Sequence, residues 1–506
     1  MTMMELISLL DRNERTQCLI LKHLLKQTKP SPLPEMMKKI DGSKRYLKEQ
    51  YQLLKKHTCS FPGVEWKETP EGIIFQKPHE LNAAEIYYSY LISSMNYKLL
   101  RLLFLQGRLD ATQVMLKFYI SESSYYRRVR ELNKVLAEFD LKIKNGLLIG
   151  KESQIRFFYF ELFYEGDLLK KLEESNTDPE IKNLLTIVQE QLNTTLSRFE
   201  YQRFFLLLRI TRKRLSSQYL GDTNNLEILT NYLREDPTYL LVRNLFEHYL
   251  KRYSHTKLEN ELTLLYLFIQ SIGVLPYMSP FFEHTYMLVE KGELFGDTHH
   301  LINQMNHLSM EYLSNCLVPL DLDIEDERLK ISTICRINML ILYFEGGFVY
   351  FDKEAAFELE ELVPERNVNQ EAIQLLKALY CTAEKEFHMN GSKEVNLYTH
   401  YALLLGYLLR KYPTYLRVGV DYEGSRLGQA TLLVYLKDVL QEGGVIVEQF
   451  TASKHYDLAI TNTSPIEVGE NVDRLFLLTD FISLKEIDDL KHIIREKLIQ
   501  KRKNKY

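Results

Sequence analysis

The order of helix ends, a turn and a hairpin within residues 80–150 constrains the fold of this chain more than any other feature. Asp110 and Ser121 are each suited to cap the helix that follows them. The pair Asn145-Gly146 lies between two short apolar runs, and this pair is typical of a type I′ hairpin because both residues accept positive φ angles. The order short helix, turn, capped helix and hairpin predicts a winged helix-turn-helix unit.

The helix that follows Ser121 has a distinct inner and outer face. Its apolar residues recur every three or four positions, which is the period of a helix packed on a core. These apolar residues are Tyr125, Val129, Leu132, Leu136 and Phe139. Residues off this stripe carry hydroxyl or basic groups that suit phosphate and base contacts. The predicted DNA contacts on this helix are Ser123, Ser124, Arg127, Arg128, Arg130 and Lys134. A second unit of this kind occurs earlier in the chain. The alternative interpretation is that only one of the two units binds DNA and that the other is structural.

Residues 1–78 repeat the same order of elements less clearly. A short helix is predicted at Leu33–Ile40, and Asp41-Gly42 forms a turn before a basic helix that Ser43 can cap. Two strand-like runs joined by Thr-Pro-Glu-Gly complete a second hairpin. The predicted DNA contacts are Lys44, Arg45, Lys48, Gln52 and Lys55. A solvated surface face is the simpler interpretation of this helix alone, and the surrounding order of elements favours DNA binding.

Charge is distributed unevenly along the chain. Residues 1–150 hold 24 Lys and Arg against 16 Asp and Glu, a net charge of +8, whereas the remaining residues carry −12. A basic first part on an acidic body favours a polyanionic partner such as double-stranded DNA.

The composition indicates an ordinary folded protein with several domains. Of 506 residues, 45% are hydrophobic and 26% charged, and only 21 are Gly and 14 Pro, which together predict a mainly helical chain. The five cysteines are scattered, so neither a disulfide framework nor a zinc site is expected. We expect no metal and no cofactor. No signal peptide pattern and no apolar run of about 20 residues occurs, so we predict a cytoplasmic protein without a membrane partner.

Beyond residue 150 the pattern changes twice. Residues 155–285 and 286–410 are both predicted to be helical, and each ends in a long aromatic and aliphatic helix followed by a proline, as in a weak internal repeat. Residues 414–506 alternate strand-like and helical runs, which predicts a small α/β domain.

The junction after the second hairpin carries a resemblance to a known family. From residue 149 the sequence is IGKESQIRFF, which is similar to the pattern IGxExxIRxF at the start of regulation domains of the sugar phosphotransferase system (PTS). With this order of domains, the whole chain resembles the Mga/AtxA family of Gram-positive global and virulence regulators. The resemblance implies a mainly α multidomain chain with two winged helix-turn-helix domains, two all-α PTS-regulation-like (PRD-like) bundles and a C-terminal α/β domain like the EIIB component.

The same resemblance implies a function and a set of partners. The winged domains would bind promoter DNA and usually activate transcription, the helical bundles would be regulated by histidine phosphorylation, and the tail would help to form a homodimer. The PTS phosphocarrier HPr or an EII component would be the phosphodonor.

His400 is the phosphorylation candidate in the closing helix of the second helical bundle, and the matching position of the first bundle is Leu267. His248 and His255 are weaker candidates because they lie off the family pattern. A buried core histidine is the alternative interpretation of His400.

The tail is predicted to lack catalytic activity. EIIB enzymes use a nucleophilic cysteine in the loop after their first strand, and no cysteine follows Cys381 in this chain. We therefore expect no enzyme and no catalytic residue. Two alternatives remain. One is an RNA-binding antiterminator with the same regulation domains, although such proteins begin with a strand-rich domain. The other is a phosphotransfer protein of the PTS.

Overall fold

The computed structural model describes residues 4–27, 29–167, 178–217, 221–222, 226–253, 258–294, 300–317, 322–349, 391–411, 416–440, 445–463, 471–479 and 483–503. Most of these residues are helical, and a small parallel sheet lies near the C-terminus, so the mainly α class is confirmed. The chain forms two compact units. The first comprises Met1–Ile302, Cys335–Ala356 and Met389–Asn396, and the second comprises Asn303–Ile334, Phe357–His388 and Leu397–Tyr506. The five predicted domain boundaries remain predictions.

The first unit begins with two groups of helices, the first within residues 12–58 and the second within residues 83–136, and a two-stranded antiparallel hairpin follows each group. The helices are α1 (Arg12–Leu25), α2 (Leu33–Lys39), α3 (Lys44–Thr58), α4 (Ala83–Ser93), α5 (Met95–Gln106), α6 (Ala111–Phe118) and α7 (Glu122–Leu136). The strands are β1 (Met4–Glu5), β2 (Glu65–Thr69), β3 (Gly72–Gln76), β4 (Lys142–Lys144) and β5 (Leu147–Ile149). β2 pairs with β3 and β4 pairs with β5.

The predicted helix caps are confirmed. The side chains of Ser43, Asp110 and Ser121 each accept a hydrogen bond from the backbone N–H three residues further on, at 3.2, 2.8 and 3.3 Å. These bonds satisfy N–H groups that the first turn of a helix leaves without an intrahelical partner. Short-range chemistry therefore sets where α3, α6 and α7 begin.

The second hairpin also forms as predicted. Asn145 and Gly146 have φ angles of 53° and 77°, the positive values of the expected turn. The Gly146 carbonyl accepts a hydrogen bond from the Leu109 N–H at 2.8 Å, and a Cβ at Gly146 would collide with the Leu109 carbonyl oxygen. Glycine is thus required here for its φ angle and for the close approach to the start of α6.

The inner stripe of α7 is confirmed with one difference at its end. Tyr125, Leu132 and Leu136 are buried, and Val129 is half-buried. Phe139 is also buried but lies outside the helix, because α7 ends at Leu136 and a 3-10 turn at Ala137–Phe139 follows it.

Ten further helices make up most of the remaining described chain. They are α8 (Glu152–Asp167), α9 (Pro179–Gln191), α10 (Arg198–Leu215), α11 (Glu227–Leu233), α12 (Pro237–Lys251), α13 (Leu258–Ile272), α14 (Glu283–Lys291), α15 (His300–Leu317), α16 (Ile324–Tyr343) and α17 (Gly391–Lys411). A short strand β6 (Phe348–Val349) pairs in parallel with β1. Within the described ranges, no helix is both long enough and apolar enough to cross a bilayer.

The C-terminal part of the second unit is a four-stranded parallel sheet with two helices. Its strands are β7 (Leu416–Asp421), β8 (Val445–Gln449), β9 (Leu458–Thr461) and β10 (Leu475–Leu477), in the order β10-β9-β7-β8. The helices are α18 (Arg426–Val439) and α19 (Leu484–Lys503). Strands and helices both occur along this segment as predicted, so its α/β character is confirmed. Its core contains apolar side chains from both the sheet and the helices.

A buried network of charged side chains joins three helices of the first unit. Glu152 of α8 accepts hydrogen bonds from Arg156, one turn later, at 2.9 Å and from Arg214 of α10 at 2.8 and 3.0 Å. Arg156 also donates to Glu261 of α13 at 2.7 Å. All four side chains are at most 4% exposed. Glu152 and Arg156 belong to the junction motif that begins at residue 149.

The charge state of Glu152 in this network is well defined. Burial alone would raise the pKa of Glu152, but the charges of Arg214 and Arg156 outweigh burial and lower the pKa to about 2. The carboxylate is therefore ionised at neutral pH. Removal of one partner from such a buried network leaves an uncompensated charge, which is much more costly than the loss of a surface ion pair.

We predict that Glu152→Gln lowers the free energy of unfolding of the first unit by about 3–5 kcal/mol, because Arg156 and Arg214 would stay buried beside a neutral side chain. The midpoint and slope of urea unfolding, followed by circular dichroism, measure this change.

Glu247→Gln is the matched control, because Glu247 forms an exposed pair with Lys251 on α12 at 2.6 Å. Its effect should stay within about 0.5 kcal/mol. Equal losses for the two variants would show that the buried network has no special role in stability.

Candidate nucleic-acid interface

A buried polar contact holds the first group of helices to the second. Gln17 of α1 donates from Nε2 to Gln50 Oε1 of α3 at 3.0 Å, and the Tyr90 hydroxyl of α4 donates to Gln17 Oε1 at 2.8 Å. All three side chains are buried, so each polar group needs its partner. The contact therefore joins α1 and α3 to α4, the first helix of the second group.

The outer face of α7 is a contiguous basic surface. With about 3.6 residues per turn, its exposed residues fall on one side of the helix, opposite the buried stripe. The exposed residues of α7 are Glu122 in its first turn and then Ser123, Tyr126, Arg127, Arg130 and Lys134, and we call the last five the α7 face. Four of the five were predicted DNA contacts, and Tyr126 was missed although its spacing from Arg130 places it on the same face.

Arg128 does not lie on the α7 face. Neighbouring helical residues are separated by about 100°, so Arg127 and Arg128 point in different directions. Arg128 pairs with Asp11, the N-cap residue of α1, through both guanidinium Nη atoms, with Nη2 donating at 2.9 Å. The hydrogen bond from Arg128 lowers the pKa of Asp11 below its ordinary 3.8. The structure therefore shows Arg128 in a contact between the two groups of helices.

The predicted DNA contacts on α3 also divide into exposed residues and one residue that forms an ion pair within the protein. Lys44, Arg45, Lys48 and Gln52 are exposed, whereas Lys55 is half-buried and forms an ion pair with Glu68 of β2 at 2.9 Å. Lys56 is a further exposed basic residue on this helix. Lys56 lies one turn after Gln52, so extension of the i, i+4 spacing would have found it.

The Asn133 side chain connects α7 to its hairpin through two hydrogen bonds. Asn133 donates from Nδ2 to the Ile143 carbonyl at 3.1 Å and accepts from the Ile143 N–H at 2.6 Å. This pairing fixes β4 beside α7, and β4 exposes Lys142 and Lys144. Both lysines were missed as candidate contacts. Their alternation with buried Ile143 would have indicated that they face solvent.

In the second group, the turn between α6 and α7 exposes an aromatic side chain. Tyr119 is 95% exposed and has a φ angle of 53°. This left-handed conformation is uncommon for a residue other than glycine, and it turns the chain from α6 into α7.

Two of the three candidate histidines lie in the described part of the chain. His400 is exposed on α17, so the alternative of a buried core histidine is wrong. His248 is exposed on α12, with its Nε2 3.1 Å from Arg252 Nη2. His255 lies outside the described residues. Leu267, at the position that matches His400, is buried in α13.

The loop after the first strand of the C-terminal sheet forms a shallow hollow with the start of α18. Ser425 caps α18, and Gln429 Nε2 donates to the Tyr422 carbonyl at 2.8 Å. The loop contains no cysteine. Across the described residues, no group of three or more His, Cys, Asp or Glu side chains is arranged to hold a metal ion.

Comparison with known proteins connects this geometry to a family. Residues 80–163 match the model of the Mga helix-turn-helix domain, a range that includes α6, α7 and the second hairpin. A protein of Streptococcus pneumoniae serotype 4 described as a putative trans-acting regulator is 22% identical over 205 residues. The aligned region covers 40% of this chain and 41% of that relative, so the chain spans less than half of the relative's length. These two similarities support the resemblance of the chain to Mga/AtxA-type regulators.

Proposed function

We propose that this protein is a cytoplasmic transcription regulator that binds promoter DNA through two winged helix-turn-helix domains. The observation that carries the proposal is the α7 face, a basic helix surface within the residues that match the Mga helix-turn-helix domain. An α-helix fits the major groove of B-DNA, which is about 12 Å wide. In this proposal α7 and α3 are the recognition helices, and the two hairpins are the wings.

Charge supports this proposal. The net charge of +8 on residues 1–150 would attract the phosphate backbone, and Lys142 and Lys144, which are included in that charge, place basic groups on the second wing. Arg127, Arg130 and Lys134 present long cationic side chains that can contact both phosphates and base edges. By family resemblance, the outcome of promoter binding is activation of transcription.

We predict that the double variant Arg127→Gln/Arg130→Gln binds duplex DNA more weakly and with a flatter salt dependence. Each lost phosphate contact should reduce the slope of log K against log salt concentration by about 0.9, because fewer counterions are released on binding. Fluorescence anisotropy of a labelled promoter duplex at several KCl concentrations measures both quantities.

The matched control is Arg209→Gln/Arg234→Gln, which removes two exposed arginines outside residues 1–150. It should bind as wild type does. Arg128→Gln gives a sharper contrast. Asp11 already neutralises the Arg128 guanidinium, so loss of this guanidinium should leave the slope of log K against log salt concentration unchanged. Unchanged duplex binding by the Arg127 and Arg130 variant would contradict the assignment of α7. Tighter binding of hairpin RNA than of duplex DNA would favour the antiterminator alternative.

We further propose that α8–α17 include two PRD-like bundles and that phosphorylation of His400 regulates the protein. The supporting observation is the exposed position of His400 on α17. Phosphorylation would add about two negative charges at neutral pH, by analogy with other phosphorylated residues. A charge change of that size on a helix surface can shift an equilibrium between two packing states.

We predict that phosphorylated HPr labels the wild-type protein at His400. Mass spectrometry under conditions that preserve phosphohistidine should detect the label in wild type and in the matched control His248→Ala, but not in His400→Ala. Labelling that persists in His400→Ala would contradict this site. Onward transfer of the phosphoryl group to a sugar carrier would support the phosphotransfer alternative.

We also propose that the C-terminal α/β domain is EIIB-like and forms the homodimer contact. Leu427 and Val434 are 77% and 58% exposed, and their spacing of seven residues places both on one face of α18. Exposed aliphatic side chains aligned along a helix favour self-association, because pairing of two copies removes both from water.

We predict that Leu427→Glu/Val434→Glu shifts the protein from dimer to monomer in sedimentation velocity experiments, because two carboxylates would be buried in each copy of the contact. The matched control is Ile228→Glu, which changes a similarly exposed aliphatic residue on α11. A dimer that survives the double change but not the control would place the contact elsewhere.

A further inference from the structure

A cavity of about 380 Å³ lies between the N-terminal segment with the start of α1 on one side and α5 with α7 on the other. Ser8, Asp11 and Arg12 line the first side, and Asn96 and Lys134 line the second. The cavity therefore has walls from both groups of helices. Its size is within the range of small-molecule sites, which span about 300–1,000 Å³.

Two polar atoms of this cavity lack partners. Asn96 is only 4% exposed, and its Oδ1 has no hydrogen-bond donor among the described residues. The same is true of the buried Oγ of Ser8. Buried polar atoms are nearly always satisfied in native proteins, because an unsatisfied one loses its bonds to water without replacement. Asn96 lines the cavity, so a rotation of its side chain can turn the unsatisfied amide oxygen toward a bound molecule that brings an N–H or O–H donor.

The charges around the cavity favour an anionic group on that molecule. Its walls include the carboxylates of Asp11 and Glu131, and Arg128 lies close to both, bonded to Asp11 and 3.5 Å from Glu131 Oε2. The basic groups Arg12 and Lys134 are exposed. The lining holds three basic groups, those of Arg12, Arg15 and Lys134, against two carboxylates, and the neighbouring Arg128 adds a fourth basic group, so the surroundings of the cavity carry a net positive charge.

We propose that this cavity binds a small organic acid, a carboxylate that also carries a hydroxyl or amino group. The carboxylate would bind Arg12 and Lys134, which supply charge-assisted hydrogen bonds. The hydroxyl or amino group would donate to Asn96 Oδ1. Because the acid would contact both groups of helices beside the Asp11–Arg128 pair, its binding favours one relative arrangement of α1 and α7.

The test uses the full chain without DNA and the probes L-malate, L-glutamate, acetate and inorganic phosphate. Isothermal titration calorimetry should show that malate or glutamate binds at least about tenfold more tightly than acetate and phosphate, since the latter pair cannot combine a carboxylate with a separate donor. A tenfold difference is the size expected for one additional hydrogen bond in a buried site.

The variant Asn96→Leu distinguishes a loss of acid binding from a loss of protein stability. Removal of an unsatisfied buried acceptor in favour of an apolar side chain of similar shape should leave the melting temperature unchanged or higher, whereas acid binding should weaken about tenfold. Lys134→Gln should also weaken binding, and Arg101→Gln is the control, an exposed arginine on α5 outside the cavity lining.

The proposal fails if neither malate nor glutamate binds, if Asn96→Leu and Lys134→Gln bind the acid as wild type does, or if phosphate binds best. A lower melting temperature of Asn96→Leu without any change in acid binding would show that Asn96 has a purely structural role. Because no DNA is present, these outcomes leave the proposed DNA binding untouched.

Discussion

The buried network of Glu152, Arg156, Arg214 and Glu261 is the constraint on which the rest of the first unit depends. Charged groups without access to water must satisfy one another, so α8, α10 and α13 can pack only in the arrangement that brings these four side chains together. Only Gly150 and Lys151 separate the end of β5 from the start of α8. The network therefore anchors the position at which the second hairpin leaves the helical body, and with it the direction of the α7 face.

Polar contacts have the same role between the two groups of N-terminal helices. The buried bonds among Gln17, Gln50 and Tyr90 join α1 and α3 to α4, and the pair of Asp11 and Arg128 joins α1 to α7. Such contacts have geometric requirements that apolar packing lacks, because a hydrogen bond weakens steeply when its distance or angle changes. They set the relative positions of the two proposed recognition helices, and hence the spacing of the DNA surfaces that the helices could contact together.

Much of the local structure could be predicted because it depends on interactions within a few residues. The caps at Ser43, Asp110 and Ser121, the Asn145-Gly146 turn and the buried stripe of α7 all follow from side-chain chemistry and helical period. The exposed faces of α3 and α7 followed from the same period. Lys56, Tyr126, Lys142 and Lys144 were not among the predicted contacts, although the same helical and strand periods place them on exposed faces.

The sequence by itself determined the class of fold, the first residues of the proposed recognition helices and the family resemblance, since each is encoded in neighbouring residues or in the order of segments. Only the tertiary structure decided which basic side chains remain exposed. Arg127 and Arg128 are adjacent in sequence, yet one is exposed and the other binds Asp11, 117 residues away. Glu152 and Arg156 were first recognised as parts of a family motif, and the fold makes them partners of Arg214 and Glu261. The physical reason is that the partner of a charged group depends on which helices pack together, and that packing involves residues far apart in the chain.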